Sequence, residues 1–175
     1  CIRDSSHTTL LVSEAEAALF RQRLDDPQCA VAALGNGIDS AFYDPAVVIP
    51  EPEMAGWPAP RLVFTGQMDY APNIAAAERA IGRIMPLVRK RFPGASFHVV
   101  GRNPPASLTR HDGRDGIRIW GRVADVRPFL AAADMALVPL EIARGVQNKV
   151  LEAMSMGLPV VLSPGAATGI AAQDG

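Results

Sequence analysis

Short apolar runs alternate with helical patterns along the chain after residue 60. The runs carry few polar residues, which is typical of parallel strands covered on both faces. Strands are predicted at Arg61–Thr65, Ser96–Val100, Ile117–Trp120, 134–139 and 159–162. Because strands and helices alternate, the pattern predicts an α/β fold with a doubly wound parallel sheet and helices on both faces.

Helical periodicity fills the intervals between these strands. Apolar residues recur at helical spacing over Ile74–Val88, and Pro72 suits the first turn of that helix. Pro86 falls inside the pattern and predicts a kink or an early end. Two shorter helices are predicted over 126–133 and 147–156.

A helical projection separates the two sides of the last predicted helix. The side predicted to pack on the sheet carries Gln147, Val150, Leu151 and Met154. Glu152 falls on the opposite side, so it is either a solvated surface residue or a residue that faces a cleft. In a cleft, its carboxylate would suit the two adjacent hydroxyl groups of a ribose.

The part before residue 60 has a different organisation. Strands are predicted over Thr8–Val12 and Cys29–Leu34, with a helix over Ser13–Leu24 whose start matches a capping box. Residues 43–60 contain five prolines, which lack amide donors, so no regular element is predicted there. The predicted units are therefore 1–45, a proline-rich linker at 46–60, and 61–175.

Two features point to a phosphate-bearing ligand. The loop from Gly145 opens onto the N-terminus of the last helix, where unpaired amides and the helix dipole favour an anion. Three predicted strands end at a glycine, namely Gly66, Gly101 and Gly121. Because the carboxyl ends of parallel strands form the ligand crevice of such sheets, these glycines predict a site there, although each alone also fits an ordinary turn.

Composition narrows the function classes. The formal net charge is -1 at pH 7, which gives no reason to expect a nucleic-acid partner. Cys1 and Cys29 are too few for a disulfide framework, so a reducing compartment is expected. No apolar run approaches the ~20 residues that span a bilayer, and no secretory signal is recognisable. The chain has no Asp-x-Asp motif or cysteine–histidine cluster, so no metal is expected.

Taken in order, several segments resemble the retaining glycosyltransferases of family 4, which have two Rossmann-like domains in the GT-B arrangement. The segments are Val12-Ser13-Glu14, Asn36-Gly37-Ile38-Asp39, Phe64-Thr65-Gly66, Val99-Val100-Gly101, Gly121-Arg122-Val123, Val138-Pro139 and Leu151-Glu152-Ala153-Met154. The resemblance covers nearly the whole chain. It implies that 1–45 is the end of an acceptor domain with its hinge, and that 61–175 is a C-terminally truncated, Rossmann-like donor domain.

The resemblance also implies roles for single residues. Glu152 matches the residue that binds the ribose of a nucleotide-sugar donor, and Gly145–Gln147 matches the cradle of the diphosphate. Gly121–Val123 matches the loop at the nucleobase, and Gly66 with Gln67 matches a loop that faces the donor. The candidate donor-binding residues are Gly66, Gln67, Gly101, Arg102, Gly121, Arg122, Val123, Arg144, Gly145, Val146, Gln147, Asn148, Lys149 and Glu152.

Two positions depart from the family pattern. The family carries a second glutamate eight residues before Glu152, near the transferred sugar, and this chain has Arg144 there. No catalytic residue is therefore assigned. Many relatives also carry an arginine and a lysine in the loop that follows Gly66, and this loop has neither. Arg102, Lys149 and Arg144 are the predicted substitutes for neutralising a diphosphate.

The resemblance implies that the full protein is a hexosyltransferase-type enzyme. It would transfer a sugar, with retention, from a nucleotide diphosphate sugar to a glycan or lipid-linked acceptor, and it would use no cofactor. Its expected role is exopolysaccharide or cell-surface polysaccharide synthesis in the cytoplasm, with peripheral association at the inner membrane face left open. Since the N-terminal acceptor domain and closing helices are expected to lie outside this chain, the fragment alone is expected to be inactive.

Two other classes stay open from the sequence. A non-hydrolysing nucleotide-sugar epimerase has a similar architecture, although the Leu-Glu-Ala-Met helix favours the transferase. A non-catalytic nucleotide-binding α/β module would share the fold. A dinucleotide oxidoreductase is disfavoured, because Gly35-x-Gly37 lacks the third glycine and a following helix. His98 lies in a predicted strand, where a structural role is favoured over catalysis.

Overall fold

The structure is a computed structural model that describes residues 8–24, 29–143 and 145–170. Its strands are β1 Thr8–Leu11, β2 Ala30–Ala33, β3 Arg61–Thr65, β4 Ser96–Val100, β5 Ile117–Gly121, β6 Met135–Val138 and β7 Val160–Leu162. Its α-helices are α1 Glu14–Arg21, α2 Pro52–Ala55, α3 Ala71–Arg79, α4 Met85–Arg91, α5 Ala106–Thr109, α6 Arg127–Ala132 and α7 Asn148–Ser155.

The strands form two parallel sheets. β1 pairs with β2 in a small sheet, with Thr8 opposite Ala30. The other five strands form one sheet in the order β5-β4-β3-β6-β7. The chain thus begins this sheet at its centre, builds outward to β5, and then crosses to β6 on the other side of β3. This confirms the predicted doubly wound α/β sheet, and it places the switch in winding direction between β3 and β6.

Alternate residues of the central strand pack on opposite faces of the five-stranded sheet. Leu62 and Phe64 belong to a cluster that contains α3, the helical turn after it and α5. Val63, between them, belongs to a second cluster with α6, Met54 and part of α7. Because both faces are covered, the strands are largely apolar, as their sequences predicted.

Pro86 produces a local change in helix type. Ala80–Ile84 between α3 and α4 forms a π-helical turn, and Pro86 then occupies the first turn of α4. A proline has no amide proton and crowds the carbonyl four residues earlier, so the regular hydrogen-bond ladder cannot pass through it. The interruption predicted from the sequence is therefore present, as a π-helical turn rather than as an end of the helix.

The prediction that residues 43–60 lack regular structure was wrong. Pro45–Val47 forms a 3₁₀ turn and Pro52–Ala55 forms α2. In both turns a proline stands at the start of the helix, where its missing amide proton costs no hydrogen bond. Met54 of α2 is fully buried, and the amide of Glu51 donates to the carbonyl of Pro128 in α6 at 2.9 Å. The segment thus packs against the five-stranded unit, while the predicted boundaries at 45 and 60 stay predictions.

The predicted buried side of the last helix was partly wrong. In α7 Val150 and Ala153 are fully buried, whereas Met154 is 41% exposed. The projection placed the buried side where the larger apolar residues of the helix fall together. Packing also depends on size, and the small Ala153 side chain allows the helix to approach the apolar cluster around Val63 and Phe129. Glu152 lies beside this face and is half-buried.

Secondary structure before residue 43 follows the sequence predictions closely. The Ser13 hydroxyl accepts a hydrogen bond from the amide of Glu16 at 3.2 Å, as expected for an N-cap. The helix ends at Arg21, which is earlier than predicted. Across the part of the chain described here, no helix combines the length and the hydropathy that crossing a membrane requires.

Candidate functional site

A cavity of about 550 Å³ lies where β3 and β4 end and α7 begins. This is the carboxyl edge of the sheet, next to the switch between β3 and β6, where open α/β sheets bind ligands. Its volume falls within the ~300–1,000 Å³ that small-molecule sites occupy. It is lined by Thr65, Gly66, Gln67, Asn73, Val100, Gly101, Arg102, Arg122, Val123, Val126, Val146, Asn148, Lys149 and Glu152.

Most of the predicted donor-binding residues meet around this one cavity. Those that line it are Gly66, Gln67, Gly101, Arg102, Arg122, Val123, Val146, Asn148, Lys149 and Glu152. Gly121, Gly145 and Gln147 are close in sequence to lining residues, but they are not part of the wall. Arg144 lies outside the described residues. Four further lining residues were not predicted from the sequence, namely Thr65, Asn73, Val100 and Val126. Asn73 matters most of these for the chemistry.

Two glycines form the floor of the cavity because no larger residue fits there. A Cβ atom on Gly101 would lie 1.6 Å from the carbonyl oxygen of Gly66. Gly66 has φ +153, and a Cβ atom on it would lie 2.8 Å from Asn73 Nδ2 and 3.3 Å from Lys149 Nζ. The two strand ends therefore come together only as glycines, which leaves backbone exposed to a ligand.

Lys149 supplies a cation below the rim of the cavity. Its Nζ donates to Asn73 Oδ1 at 2.7 Å and lies 5.0 Å from the centre of the Phe64 ring. Burial lowers the pKa of Lys149 to about 8, and the nearby Glu152 carboxylate acts against this shift. An anion bound beside the ammonium would favour its charged form, so this lysine is suited to a phosphate.

Asn73 connects Lys149 to the loop after β3. Its side chain is only 6% exposed. Asn73 Nδ2 donates to the carbonyl oxygen of Gln67 at 2.9 Å while Oδ1 accepts from Lys149. Asparagine in the first turn of a helix is usually a surface residue, so only its position directly after Pro72, opposite a glycine strand end, could have indicated this role.

Glu152 lines the same cavity from the next turn of α7. Burial raises its pKa, and a hydrogen bond from Tyr43 together with the charge of Lys149 acts in the opposite direction. Burial first, and then Glu152, raises the pKa of Tyr43 to about 12, so the tyrosine is protonated at neutral pH. The carboxylate thus has a donor on one side and the cavity on the other. Sequence reasoning placed Glu152 in a cleft as one of two alternatives, and it missed Tyr43.

The outer rim of the cavity carries paired charges. Arg102 lies 3.7 Å from Asp69 and donates from Nη2 to Gln67 Oε1 at 3.0 Å. Asn103 Nδ2 donates to the same Asp69 carboxylate at 2.8 Å, and this bond is the largest cause that lowers the pKa of Asp69. Arg102 is therefore partly compensated by Asp69, whereas Lys149 faces the cavity from a more buried position.

The first turn of α7 completes the anion-binding side. Its residues Asn148, Lys149 and Val150 include no acidic side chain. Gln147 at the N-cap makes no side-chain capping bond to the helix, and its Nε2 instead donates to the carbonyl of Gly145 at 3.3 Å. The first amides of a helix lack intrahelical acceptors, so this end favours an anionic ligand.

A second cavity of about 700 Å³ lies at the opposite edge of the sheet, next to the amino ends of β4 and β5. Its charged and titratable lining residues are Arg89, His111 and Asp115. It is larger, but it lies away from the strand ends where parallel sheets present ligand-binding loops. Among the residues that the structure describes, no group of three or more His, Cys, Asp or Glu side chains could hold a metal ion.

Solved structures share this architecture at low sequence identity. The chain is similar to the Anabaena protein HepE, solved with UDP and glucose, at 15% identity and a TM-score of 0.66, covering 98% of this chain and 48% of that one. It is similar to a trehalose 6-phosphate synthase from Burkholderia multivorans at 14% identity and a TM-score of 0.72, covering 92% and 46%. It is also similar to WaaG, a glycosyltransferase involved in lipopolysaccharide biosynthesis, at 22% identity and a TM-score of 0.62, covering 93% and 46%.

These likenesses define the class of fold, which is the Rossmann-like α/β fold of GT-B glycosyltransferases. The chain itself belongs to the group 1 glycosyl transferases, because the model of that family matches residues 59–175. No curated protein sequence matches the chain with significance. The chain spans less than half the length of the solved structures named here.

Proposed function

We propose that this chain is the donor-binding part of a retaining, family 4 glycosyltransferase that uses a nucleotide diphosphate sugar. The observation that carries the proposal is the cavity of about 550 Å³ at the carboxyl edge of the sheet, which both Lys149 and Glu152 line from one helix. Cation, carboxylate and helix N-terminus are the complementary groups for a diphosphate attached to a ribose.

In this proposal each part of the donor has its own contact. The diphosphate lies at the N-terminus of α7 beside Lys149, and the ribose hydroxyls donate to Glu152. Arg122 and Val123 line the wall on the β5 side, where the nucleobase would lie. The structure of HepE with UDP supports this class of ligand, because that protein shares the fold.

Transfer of the sugar leaves a nucleoside diphosphate, and the negative charge on its phosphate oxygens increases as the bond to the sugar breaks. A fixed ammonium and helix amides stabilise such charge without reorganisation at the moment of reaction. Lys149 would supply this stabilisation, with Arg102 and Arg144 as further cations, and no metal or other cofactor is invoked.

The complete protein would add the rest of an acceptor domain, of which residues 1–45 are the end. We propose a glycan or lipid-linked acceptor, hexosyl transfer, and a role in exopolysaccharide or cell-surface polysaccharide synthesis. The site would work in the cytoplasm, with peripheral association at the inner membrane face. The present chain would bind the donor without turning it over.

Titration of the chain with UDP-, GDP- and ADP-sugars tests the proposal. We expect the sugars of one of these three nucleotides to bind. We expect Glu152→Ala to weaken that binding by about tenfold or more, since a charge-assisted hydrogen bond contributes ~1.5–3 kcal/mol. Glu141→Ala is the matched control, because Glu141 is an exposed glutamate paired with Arg79 outside the cavity. A folded chain that binds none of the three donors would refute the proposal.

A further inference from the structure

Asn73 makes two hydrogen bonds, and both end on walls of the cavity. Oδ1 accepts from Lys149 Nζ at 2.7 Å, and Nδ2 donates to the Gln67 carbonyl at 2.9 Å. Asn73 lies in α3, Gln67 in the loop after β3, and Lys149 in α7, so one side chain joins three elements that are separate in sequence. The amide satisfies both partners, because its oxygen accepts from the ammonium and its nitrogen donates to the carbonyl.

Burial makes this arrangement rigid. Asn73 is 6% exposed, so a lost hydrogen bond would leave a polar group without water to replace it. Lysine has a flexible four-carbon stem and would otherwise sample many rotamers. The bond to Asn73 and the contact with the Phe64 ring restrict Lys149 to the side of the cavity next to Gly66.

Asn73 holds the lysine without neutralising it. A carboxylate at this position would pair with Lys149 and would place a negative charge beside the bound anion. The neutral amide keeps the full positive charge available and leaves other N–H groups of the ammonium for a ligand. The charged groups that also line the cavity are Glu152 on α7, Arg102 after β4 and Arg122 after β5.

We propose that Asn73 is a positioning residue, which fixes Lys149 and the Gln67 loop as two walls of a diphosphate subsite. The inference rests on the proposed function, since it needs a diphosphate in this cavity. It adds a residue that acts through Lys149 and that does not itself touch the nucleotide. It also explains how the loop after Gly66 serves an anion without a basic residue of its own: a lysine from α7 reaches across and is held there.

The test compares Asn73→Asp with the unchanged chain in binding UDP, GDP, ADP and inorganic pyrophosphate. The introduced carboxylate would retain the acceptor for Lys149, lose the donor to Gln67 and add a negative charge. We expect the affinity for the diphosphate that binds, and for pyrophosphate, to fall by about tenfold or more. Gln22→Glu is the matched control, because it adds the same charge at the end of α1, away from the cavity.

A pH profile separates positioning from a merely structural effect. A carboxylate beside Lys149 stabilises the charged ammonium and raises its pKa, so the loss of binding at alkaline pH should move to higher pH in Asn73→Asp. A general loosening of the fold would lower affinity without that shift. If thermal melting shows that Asn73→Asp does not fold, Asn73→Ser is the second variant. Its affinity for pyrophosphate should fall by about three- to tenfold, which corresponds to the loss of one neutral hydrogen bond.

The outcomes distinguish the two proposals. If Asn73→Asp binds like the unchanged chain while Lys149→Met binds weakly, the positioning role is wrong and the proposed diphosphate site stands. If the unchanged chain binds none of the diphosphates, the proposed function and the role of Asn73 are both overturned.

Discussion

Lys149 is the residue on which the charge balance of the site depends. It is one of only two lysines in the chain, and among the described residues that line the cavity it is more buried than the cations Arg102 and Arg122. Arg102 shares its charge with Asp69, and its exposed side chain is accessible to salt. A diphosphate therefore gains more from Lys149 than from the rim.

The pKa of about 8 for Lys149 predicts a pH-dependent affinity. Anion binding favours the protonated lysine, so affinity should be constant near pH 7 and should fall as pH rises through 8, by about tenfold toward pH 9.5. Calorimetric titration of the best-binding nucleoside diphosphate across this range measures it.

Substitution isolates the lysine's contribution. Lys149→Met should bind about tenfold more weakly at pH 7 and should lose the alkaline dependence. Lys90→Met is the control, because Lys90 lies in the last turn of α4, away from the cavity. An alkaline dependence that persists in Lys149→Met would show that another group titrates.

At the scale of elements, the site depends on how the ends of β3 and β4 meet. The amide of Gly66 donates to the carbonyl of Val100 at 3.0 Å, and the amide of Met68 donates to that of Arg102 at 2.9 Å. The two loops thus continue the pairing of the strands beyond the sheet. This close approach requires Gly101.

Gly101→Ala should destabilise the protein by about 3 kcal/mol or more, because the new methyl group would overlap the Gly66 carbonyl. Urea denaturation measures the free energy of unfolding. Gly82→Ala is the matched control, since a Cβ atom there meets nothing within 4 Å. If the two variants unfold within about 0.5 kcal/mol of each other, as ordinary surface changes do, the close approach is not real.

The segment before α2 is coupled to the same helix that carries Lys149 and Glu152. Asn36 Nδ2 donates to Asn148 Oδ1 at 2.7 Å, and Ser155 Oγ donates to the Tyr43 carbonyl at 3.0 Å. Arg127 donates to the Phe42 carbonyl at 3.0 Å and lies over the Phe42 ring. The residues that the resemblance assigns to the hinge therefore contact both the first and the last residue of α7.

For the molecule as a whole, His98 links stability to pH. It is fully buried in β4, where its Nδ1 accepts from Trp120 Nε1 at 3.2 Å and its Nε2 pairs with Ser96 Oγ at 2.9 Å. Since indole nitrogen can only donate, the Nδ1 atom carries no proton and the ring is neutral. Burial lowers its pKa to about 4. These contacts give His98 the structural role that the sequence favoured.

The folded protein should lose stability between about pH 6.5 and 4. In this window the unfolded chain binds a proton at His98 that the folded chain does not, so the free energy of unfolding decreases as pH falls, by up to about 3 kcal/mol. The contribution is complete above pH 6.5. Denaturant unfolding at several pH values measures this slope.

His98→Phe should remove much of that slope, whatever its effect on stability at pH 7. His111→Phe is the matched control, since it makes the same replacement at a histidine outside the core. Paired carboxylates such as Asp134, whose bond from Arg61 lowers its pKa, act only at lower pH. An unchanged slope in His98→Phe would contradict the assignment.

The sequence alone determined most of the strands and several residues of the candidate site. The apolar strands, the glycines at their ends and the position of Glu152 on α7 were predictable, because hydrophobic periodicity and backbone sterics act locally. The family resemblance predicted most of the residues that line the cavity for a related reason. Each short motif has a characteristic local backbone geometry, and the motifs occur in the same order in the family. The helical turns in residues 43–60 were missed because proline density was considered without the position of each proline in its turn.

Only the tertiary structure decided what lies beside these residues. The hydrogen bond between Asn73 and Lys149 and the effect of Tyr43 on the pKa of Glu152 connect residues that are distant in the sequence. The burial of Ala153 in place of Met154 depends on how α7 packs on the rest of the fold. Such contacts depend on how helices are placed on the sheet, and periodicity does not encode that placement. Burial then sets the pKa values of Lys149 and His98, because the cost of a charge depends on the water that the whole fold excludes.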